Sequence, residues 1–224
     1  MQRRRVYIGV LLVFSAAWFS LDAASGEDNM KTKAVGLPKP ALKGDISIEE
    51  VIEKRRSIRS YSEKELTDEQ LSQLLWAAQG ITDTRGLRAA PSAGALYPLE
   101  IYVVKKDGLF HYSPDGHKLE PISDKDLRPG LAKAALGQGF VAQAPVDIII
   151  CAVYKRIQSR YGDRGVRYTD IEVGHAAENV HLQAVALGLG SVPVGAFSDD
   201  AVSSLLGLSK EETPVYIIPV GYKK

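Results

Sequence analysis

Apolar positions along the chain change their period several times, and each change marks a new element. Ser47 with Glu50 has capping-box spacing, and Ile48, Val51 and Ile52 then fall on one face of a short helix closed by Arg55 and Arg56. Thr67 with Gln70 repeats the signal ahead of Leu71, Leu74, Leu75 and Ala78, and Gly80 stops that helix. After a loop over residues 82–98 the period shortens. Strands are predicted at residues 99–105, 109–112 and 118–122, separated by the hairpin signals Asp107-Gly108 and Asp115-Gly116. Residues 127–136 read as a helix, residues 146–153 as a fully buried strand, and residues 168–187 as the longest helix, ending at Gly188. Asp199 caps a further helix through Leu206, and residues 215–220 supply a last strand. Hairpins stand where repeated βαβ units would define a doubly wound sheet. The expectation is therefore an α+β domain with a central, mostly antiparallel sheet flanked by helices.

The first residues follow a different rule. Arg3-Arg4-Arg5 precedes an apolar stretch over residues 6–21 that ends in Ala23-Ala24-Ser25-Gly26, the layout of an export signal. Residues 1–25 are read as an export signal or membrane anchor; the stretch is shorter than the roughly 20 apolar residues that span a bilayer, which favours a cleaved signal. The arginines would stay in the cytoplasm while the remainder crosses, and Arg4-Arg5-Val6-Tyr7-Ile8 also has the look of a twin-arginine signal. Residues 26–45, with Lys31, Lys33, Lys39, Lys43, Gly36, Pro38 and Pro40, lack apolar periodicity and read as a linker to a domain at residues 46–224.

Composition narrows the classes without choosing among them. With 45% hydrophobic and 25% charged residues the chain is globular, and 28 basic against 27 acidic residues leave no global electrostatic case for a nucleic-acid partner. Cys151 is the only cysteine and lies in an apolar run, so an intrachain disulfide and a cysteine zinc site are both excluded. His175 and Glu178 are one helical turn apart with no third ligand nearby, so no metal is expected. No Gly-x-Ser-x-Gly elbow or His-Glu-x-x-His helix is present. Gly137-Gln138-Gly139-Phe140-Val141-Ala142 matches the dinucleotide fingerprint formally, but it sits between a helical segment and a strand. That order is the reverse of what a pyrophosphate at a helix N-terminus requires.

Three segments carry candidate chemistry. Arg55, Arg56 and Arg59 place three guanidinium groups within five residues, and Ser57 adds a hydroxyl. Guanidinium forks pair with phosphate oxygens, although the same cluster also suits a solvated helix end. Pro91-Ser92-Ala93-Gly94-Ala95 and Gly190-Ser191-Val192-Pro193-Val194-Gly195-Ala196 offer small side chains and accessible backbone to a flat ring system.

Together these residues resemble the nitroreductase-like FMN oxidoreductase family over about residues 46–224. The resemblance rests on Arg55-Arg56-Ser57-Ile58-Arg59-Ser60-Tyr61, on Pro91-Ser92-Ala93-Gly94, and on residues 179–193, which read Asn-Val-His-Leu-Gln-Ala-Val-Ala-Leu-Gly-Leu-Gly-Ser-Val-Pro. The longer form Ala-Pro-Ser-Ala-Gly-Ala-Leu-Tyr-Pro is similar to the branch that oxidises thiazoline and oxazoline rings in modified peptides. The resemblance implies that Arg55, Arg56, Ser57 and Arg59 hold the FMN phosphate and that Pro91, Ser92, Ala93 and Gly94 contact the flavin from the partner subunit of a homodimer. Gln138 would reach the ring or ribityl chain, and Pro193, Val194, Gly195 and Ala196 would present backbone to the ring edge. The family places a basic phosphate ligand after its last strand; here Lys223 and Lys224 stand there, and Lys224 is assigned that role. The azoline branch carries Lys-Tyr before the long helix, whereas this chain has Arg167-Tyr168, which leaves Tyr168 as the residue able to exchange a proton.

The activity implied is hydride transfer through flavin N5 by a ping-pong scheme, with NAD(P)H as the family donor. Nicotinamide cofactors are confined to the cytoplasm, so an exported enzyme would instead dehydrogenate a small molecule or peptide and pass electrons to oxygen or a quinone-linked carrier. Reduction of nitro compounds or quinones by NAD(P)H is the cytoplasmic counterpart. A non-catalytic flavin-binding scaffold and an exported binding protein without FMN are the alternatives.

Overall fold

The computed structural model describes residues 33–224. The expected export segment and the start of the expected linker lie outside the described residues. The elements are β1 (Val35–Gly36), α1 (Ile48–Lys54), α2 (Asp68–Gln79), β2 (Leu99–Lys105), β3 (Gly108–Ser113), β4 (Lys118–Ser123), α3 (Arg128–Ala134), α4 (Gly139–Gln143), β5 (Val146–Ala152), α5 (Tyr154–Tyr161), α6 (Arg164–Ala186), β6 (Gly190–Ser191), α7 (Asp199–Leu206) and β7 (Thr213–Gly221). The strands form one sheet in the order β1-β4-β3-β2-β5-β7-β6, and every neighbouring pair is antiparallel. The α+β expectation holds.

The apolar run at β5 explains the layering. All seven of its residues are buried because helices cover both faces of the sheet. Ile148 and Ile150 pack with Leu71, Leu74 and Leu75 of α2 and Val173, Ala177 and Val180 of α6. Ile149 and Cys151 turn the other way, to Leu131 of α3, Val141 of α4 and Val202 of α7. Each fully buried aliphatic side chain contributes about 1.5–3 kcal/mol, so the two cores meeting at β5 account for much of the driving force. The caps follow the sequence: Ser47 accepts from the Glu50 amide, and Thr67 with Gln70 forms a complete capping box on α2.

Three expectations need correction, and a fourth stands on different grounds. The later part of the predicted linker is docked: Val35 and Gly36 pair with Leu119 and Lys118 of β4, the Ala41 amide donates to Gln73 Oε1, and Ser72 Oγ donates to the Pro38 carbonyl. Polar side chains of the body hold this stretch, so it needs no apolar period. Helix α6 begins at Arg164, before the predicted start at 168, and the arginine- and tyrosine-rich stretch ahead of it is helix α5. Ser198, one residue before Asp199, caps α7. The Gly137–Ala142 segment opens the short helix α4, but no strand leads into it, so the dinucleotide fingerprint still fails. Among the described residues no helix is long and apolar enough to cross a membrane.

Candidate functional site

The arginine segment becomes an edge of the sheet. Past Lys54 the chain turns extended at Arg55; the Ile58 amide donates to the Ser191 carbonyl at 3.0 Å, and Ser57 bridges Ser191 in parallel. This requires glycine at 190, since a Cβ there would meet Ile58 at 2.8 Å. On the other side Tyr61 bridges Lys223, the Ser62 amide donates to the Tyr222 carbonyl at 2.9 Å, and the Lys224 amide donates to the Ser60 carbonyl at 3.3 Å. Backbone pairing alone thus collects Arg55, Ser57, Arg59, Lys223 and Lys224 along one ledge.

The ring-edge candidates continue the ledge. Val194 pairs with Ile217 of β7 and aligns residues 193–196 beside the sheet. Gln138 Nε2 donates to the carbonyls of Ala196 and Ala135, both at 2.9 Å, and ties α4 to this strip. The Arg59 guanidinium lies 6.0 Å from the Phe140 ring centre, so it faces α4. Gly195 and Ala196 are exposed, and among the described hydrogen bonds their amides donate to nothing. Arg56 behaves differently: its Nη1 donates to the carbonyls of Glu53 and Arg55 at 2.8 and 2.7 Å, satisfying orphan acceptors at the end of α1.

Pro91, Ser92, Ala93 and Gly94 lie in a tight loop elsewhere on the same chain. Ser92 Oγ accepts from the Tyr97 amide at 2.9 Å, and Gly94, Ala95 and Tyr97 all have left-handed φ values of 63°, 54° and 47°. A Cβ on Gly94 would meet Tyr161 Oη at 2.9 Å, so α5 presses directly on the loop. Arg88 holds it from below: its amide donates to Tyr97 Oη, its Nη1 donates to Gln79 Oε1 at 2.9 Å, and its guanidinium lies 4.5 Å from the Tyr97 ring centre. Beneath sits Glu172 of α6, 2% exposed, whose carboxylate oxygens have no hydrogen-bond partner among the described residues. Burial pushes its pKa up to about 7, against the pull of Ser92, Arg88 and Gln79.

Tyr168, the candidate proton-exchanging residue, belongs to this half. It is half-buried, accepts from Arg164 Nε at 3.3 Å, and meets Tyr161 edge-on at 5.3 Å, one helical turn before Glu172. The chain therefore gathers its candidates into two groups. Helix α6 carries both: Glu172 lies under the loop and His181 under the ledge, nine residues or about 14 Å apart at 1.5 Å per residue.

Sequence reasoning missed Arg88 and Glu172, and it quoted His181, Ser191 and Tyr97 within motif stretches without giving them a role. His181 Nε2 lies 3.1 Å from Arg55 Nη1, and its Nδ1 lies 2.6 Å from Ser191 Oγ. A polar residue on the buried face of α6, between Val173 or Val180 and their apolar neighbours, was the available signal. His175 is exposed, Glu178 lies 3.7 Å from Arg55 Nε, and among the described residues no group of three acidic, histidine or cysteine side chains could hold a metal. Cys151 is fully buried with its thiol pushed up by burial, which suits packing.

A ledge of cations and free amides beside an antiparallel sheet, with a small-residue loop packed over the same long helix, suits an anionic, flat cofactor. The family model described as "Nitroreductase family" matches residues 52–222, and the chain belongs to that family. "Putative nitroreductase MJ1384" of Methanocaldococcus jannaschii is 48% identical over 185 residues, covering 80% of this chain and 92% of that protein. An FMN reductase (NAD(P)H) of Bacillus subtilis is 27% identical over 177 residues, 74% of this chain and 59% of its own length. A solved nitroreductase-type structure from Ralstonia eutropha superposes with a TM-score of 0.79 at 29% identity, covering 87% of this chain and 91% of that one.

Proposed function

We propose that this protein is an FMN-dependent oxidoreductase that works as a homodimer, with each flavin held on the ledge of one subunit beneath the 91–94 loop of the other. The observation that carries this is the donor set of the ledge. Arg59, Lys223 and Lys224 have no carboxylate partner among the described ion pairs, and the amides of Gly195 and Ala196 are free and exposed. Such cations fit a phosphate dianion, and such amides fit the oxygen- and nitrogen-bearing edge of an isoalloxazine. When bound, FMN supplies hydride acceptance and donation at N5, so donor and acceptor use the site in turn.

The residues of the chain then have separate tasks. Arg55, Ser57, Arg59 and Lys224 bind and orient the phosphate. Arg56 closes α1 and keeps its neighbour Arg55 in place. Gln138 fixes the strip Pro193, Val194, Gly195 and Ala196 at the ring edge. Tyr168 offers a hydroxyl for proton exchange with substrate; Arg167 beside it stays protonated and cannot act as a base.

The homodimer is supported by apolar surface left open along α6 and α1: Val166 and Ile171 are 40% and 47% exposed, and Ile48 and Ile52 are 57% and 58% exposed. An isologous pairing through this surface would bury it on both copies. The substrate class follows location. With residues 1–25 acting as an export signal, the enzyme dehydrogenates a small molecule or peptide outside the cytoplasm; retained inside, it reduces nitro compounds or quinones with NAD(P)H.

The test is an absorbance spectrum of the purified full chain, with heat release and mass identification of any yellow cofactor, followed by anaerobic addition of NADH and NADPH. Stoichiometric FMN that a donor bleaches is the expected result. A colourless protein that takes up no added FMN would remove the proposal; bound FMN that neither nicotinamide reduces would remove the nitro- and quinone-reductase arm and leave the exported dehydrogenase or a scaffold. Fractionation of cells carrying the tagged full chain decides the location, and a purely cytosolic protein would overturn export.

A further inference from the structure

We propose that His181 is a positioning residue for the phosphate ledge: a buried, uncharged imidazole that accepts a hydrogen bond from Arg55 and so aims that guanidinium without neutralising it. The inference rests on the FMN reading above.

The proton placement follows from donors and acceptors. Arg55 can only donate, so the Nε2 atom 3.1 Å from its Nη1 must carry a lone pair. A neutral imidazole has one N–H, which then lies on Nδ1 and donates to Ser191 Oγ at 2.6 Å. His181 is 2% and Ser191 1% exposed, so water does not compete for either bond. Burial, reinforced by the Arg55 charge, pushes the imidazole pKa down to about 4, which keeps it neutral in the working range. The ring thus links three pieces of chain, since Ser191 also receives the Ile58 amide on its carbonyl.

The alternatives to a neutral acceptor show what it achieves. A carboxylate at this depth would cancel the Arg55 charge, and a cation would repel it. An apolar residue would leave the guanidinium to Glu178, which lies 3.7 Å from Nε on the exposed side and draws it outward. His181 balances that pull while the positive charge stays available for a dianion.

The experiment measures FMN affinity by flavin fluorescence in the full-length wild type and in the variants His181→Phe and His181→Gln. It also reads the tautomer of His181 by long-range nitrogen–proton NMR on the wild type at neutral pH. Phenylalanine keeps the volume and removes both hydrogen bonds, so FMN binding should weaken about tenfold or more. Glutamine can accept from Arg55 and donate to Ser191, and should restore binding to within about threefold of wild type. The NMR should show Nε2 unprotonated and Nδ1 protonated. A folded Phe variant that binds FMN like wild type, or a proton on Nε2, overturns the inference; if the Phe variant fails to fold, the Gln variant and the tautomer decide it. A wild-type chain that binds no FMN removes the underlying function instead, and the tautomer still reports whether the Arg55 contact exists.

Discussion

The ledge and the loop are built from similar small and basic residues, yet they are finished to different degrees. At the ledge, backbone pairing on both sides engages the Ile58 and Ser62 amides and the Ser60 carbonyl, and the buried His181 and Ser191 satisfy each other. At the loop, Ala95 and Tyr97 hold left-handed φ values that cost about 1 kcal/mol or more each, and Glu172 and Gln79 Nε2 are buried without partners. In the homodimer proposed above, the ledge carries the phosphate contacts of one copy, and the strained loop is the part supplied to the other.

The largest effect should come from the ledge. Replacing Arg55 and Arg59 together by alanine removes two charge-assisted contacts of about 1.5–3 kcal/mol each and should weaken FMN binding by two orders of magnitude or more. Arg59 is exposed, but Arg55 is half-buried and its loss leaves His181 Nε2 without a donor, so the thermal midpoint of the apo protein should fall by a few degrees, far less than the loss of FMN affinity. Equilibrium dialysis with FMN checks this, and affinity unchanged in the double variant would mean the phosphate sits elsewhere.

The next effect separates the two regions physically. Ile171 is 47% exposed on the same open side of α6 as Gly174, where a Cβ would meet nothing within 4 Å. A charge at 171, as Ile171→Glu, should leave the fold intact and shift the protein to monomer in analytical ultracentrifugation. FMN affinity should fall about tenfold with it, because each ledge then loses the opposite loop. A monomeric variant with undiminished affinity would break the comparison, since the ledge would then be a complete site.

How legible each region was follows from the same contrast. The meander, the buried β5 and both α1 and α2 caps were readable because their signals are local: alternation, Asp-Gly turns, and Ser or Thr three residues before Glu or Gln. Arg55, Ser57, Arg59 and the 193–196 strip were readable as chemistry, but their meeting depends on Gly190 admitting Ile58, a contact 132 residues apart that no local pattern encodes. His181 and Glu172 were hidden for a different reason. Both lie on the buried face of a long helix, where a polar residue has meaning only through a neighbour brought by another element. The docking of Val35 and Gly36 on β4 was equally non-local, since two residues give no period to read.

Glu172 sharpens the comparison through pH. Its folded-state pKa is raised, so the folded protein binds more protons than the unfolded one between the ordinary carboxylate range and about pH 7. Stability from this group is therefore fully present in acid and is lost as pH rises through that window. His181 has the opposite sign: its pKa is lowered to about 4, and its contribution is present above the ordinary imidazole value and lost on acidification. The two oppose each other in one window, so single variants must be compared with wild type at each pH. Glu172→Gln should remove a penalty of about 1–2 kcal/mol at pH 8 and change little at pH 5, seen as a melting temperature that rises only at the higher pH. An equal shift at both values would mean the carboxyl is paired in the folded protein.

The smallest expected effect tests how much of the ledge is rigid before any ligand arrives. Gln138 spans two carbonyls, Ala135 and Ala196, through a single amide; Ala196 is exposed, and the buried Ala135 carbonyl also accepts from the Gln138 backbone amide at 3.1 Å. In Gln138→Ala water can take up the Ala196 carbonyl and the backbone amide of residue 138 still serves Ala135, so stability should fall by only about 0.5–1.5 kcal/mol. The strip at 193–196 keeps its Val194 to Ile217 pairing, yet its outer end is no longer tied to α4. Hydrogen exchange should therefore stay unchanged at the Val194 amide, which the Ile217 carbonyl holds, with FMN affinity lower by a few fold. Exchange that quickens at Val194 would show that Gln138 holds the whole strip, and the ledge would then depend on a single side chain for its shape.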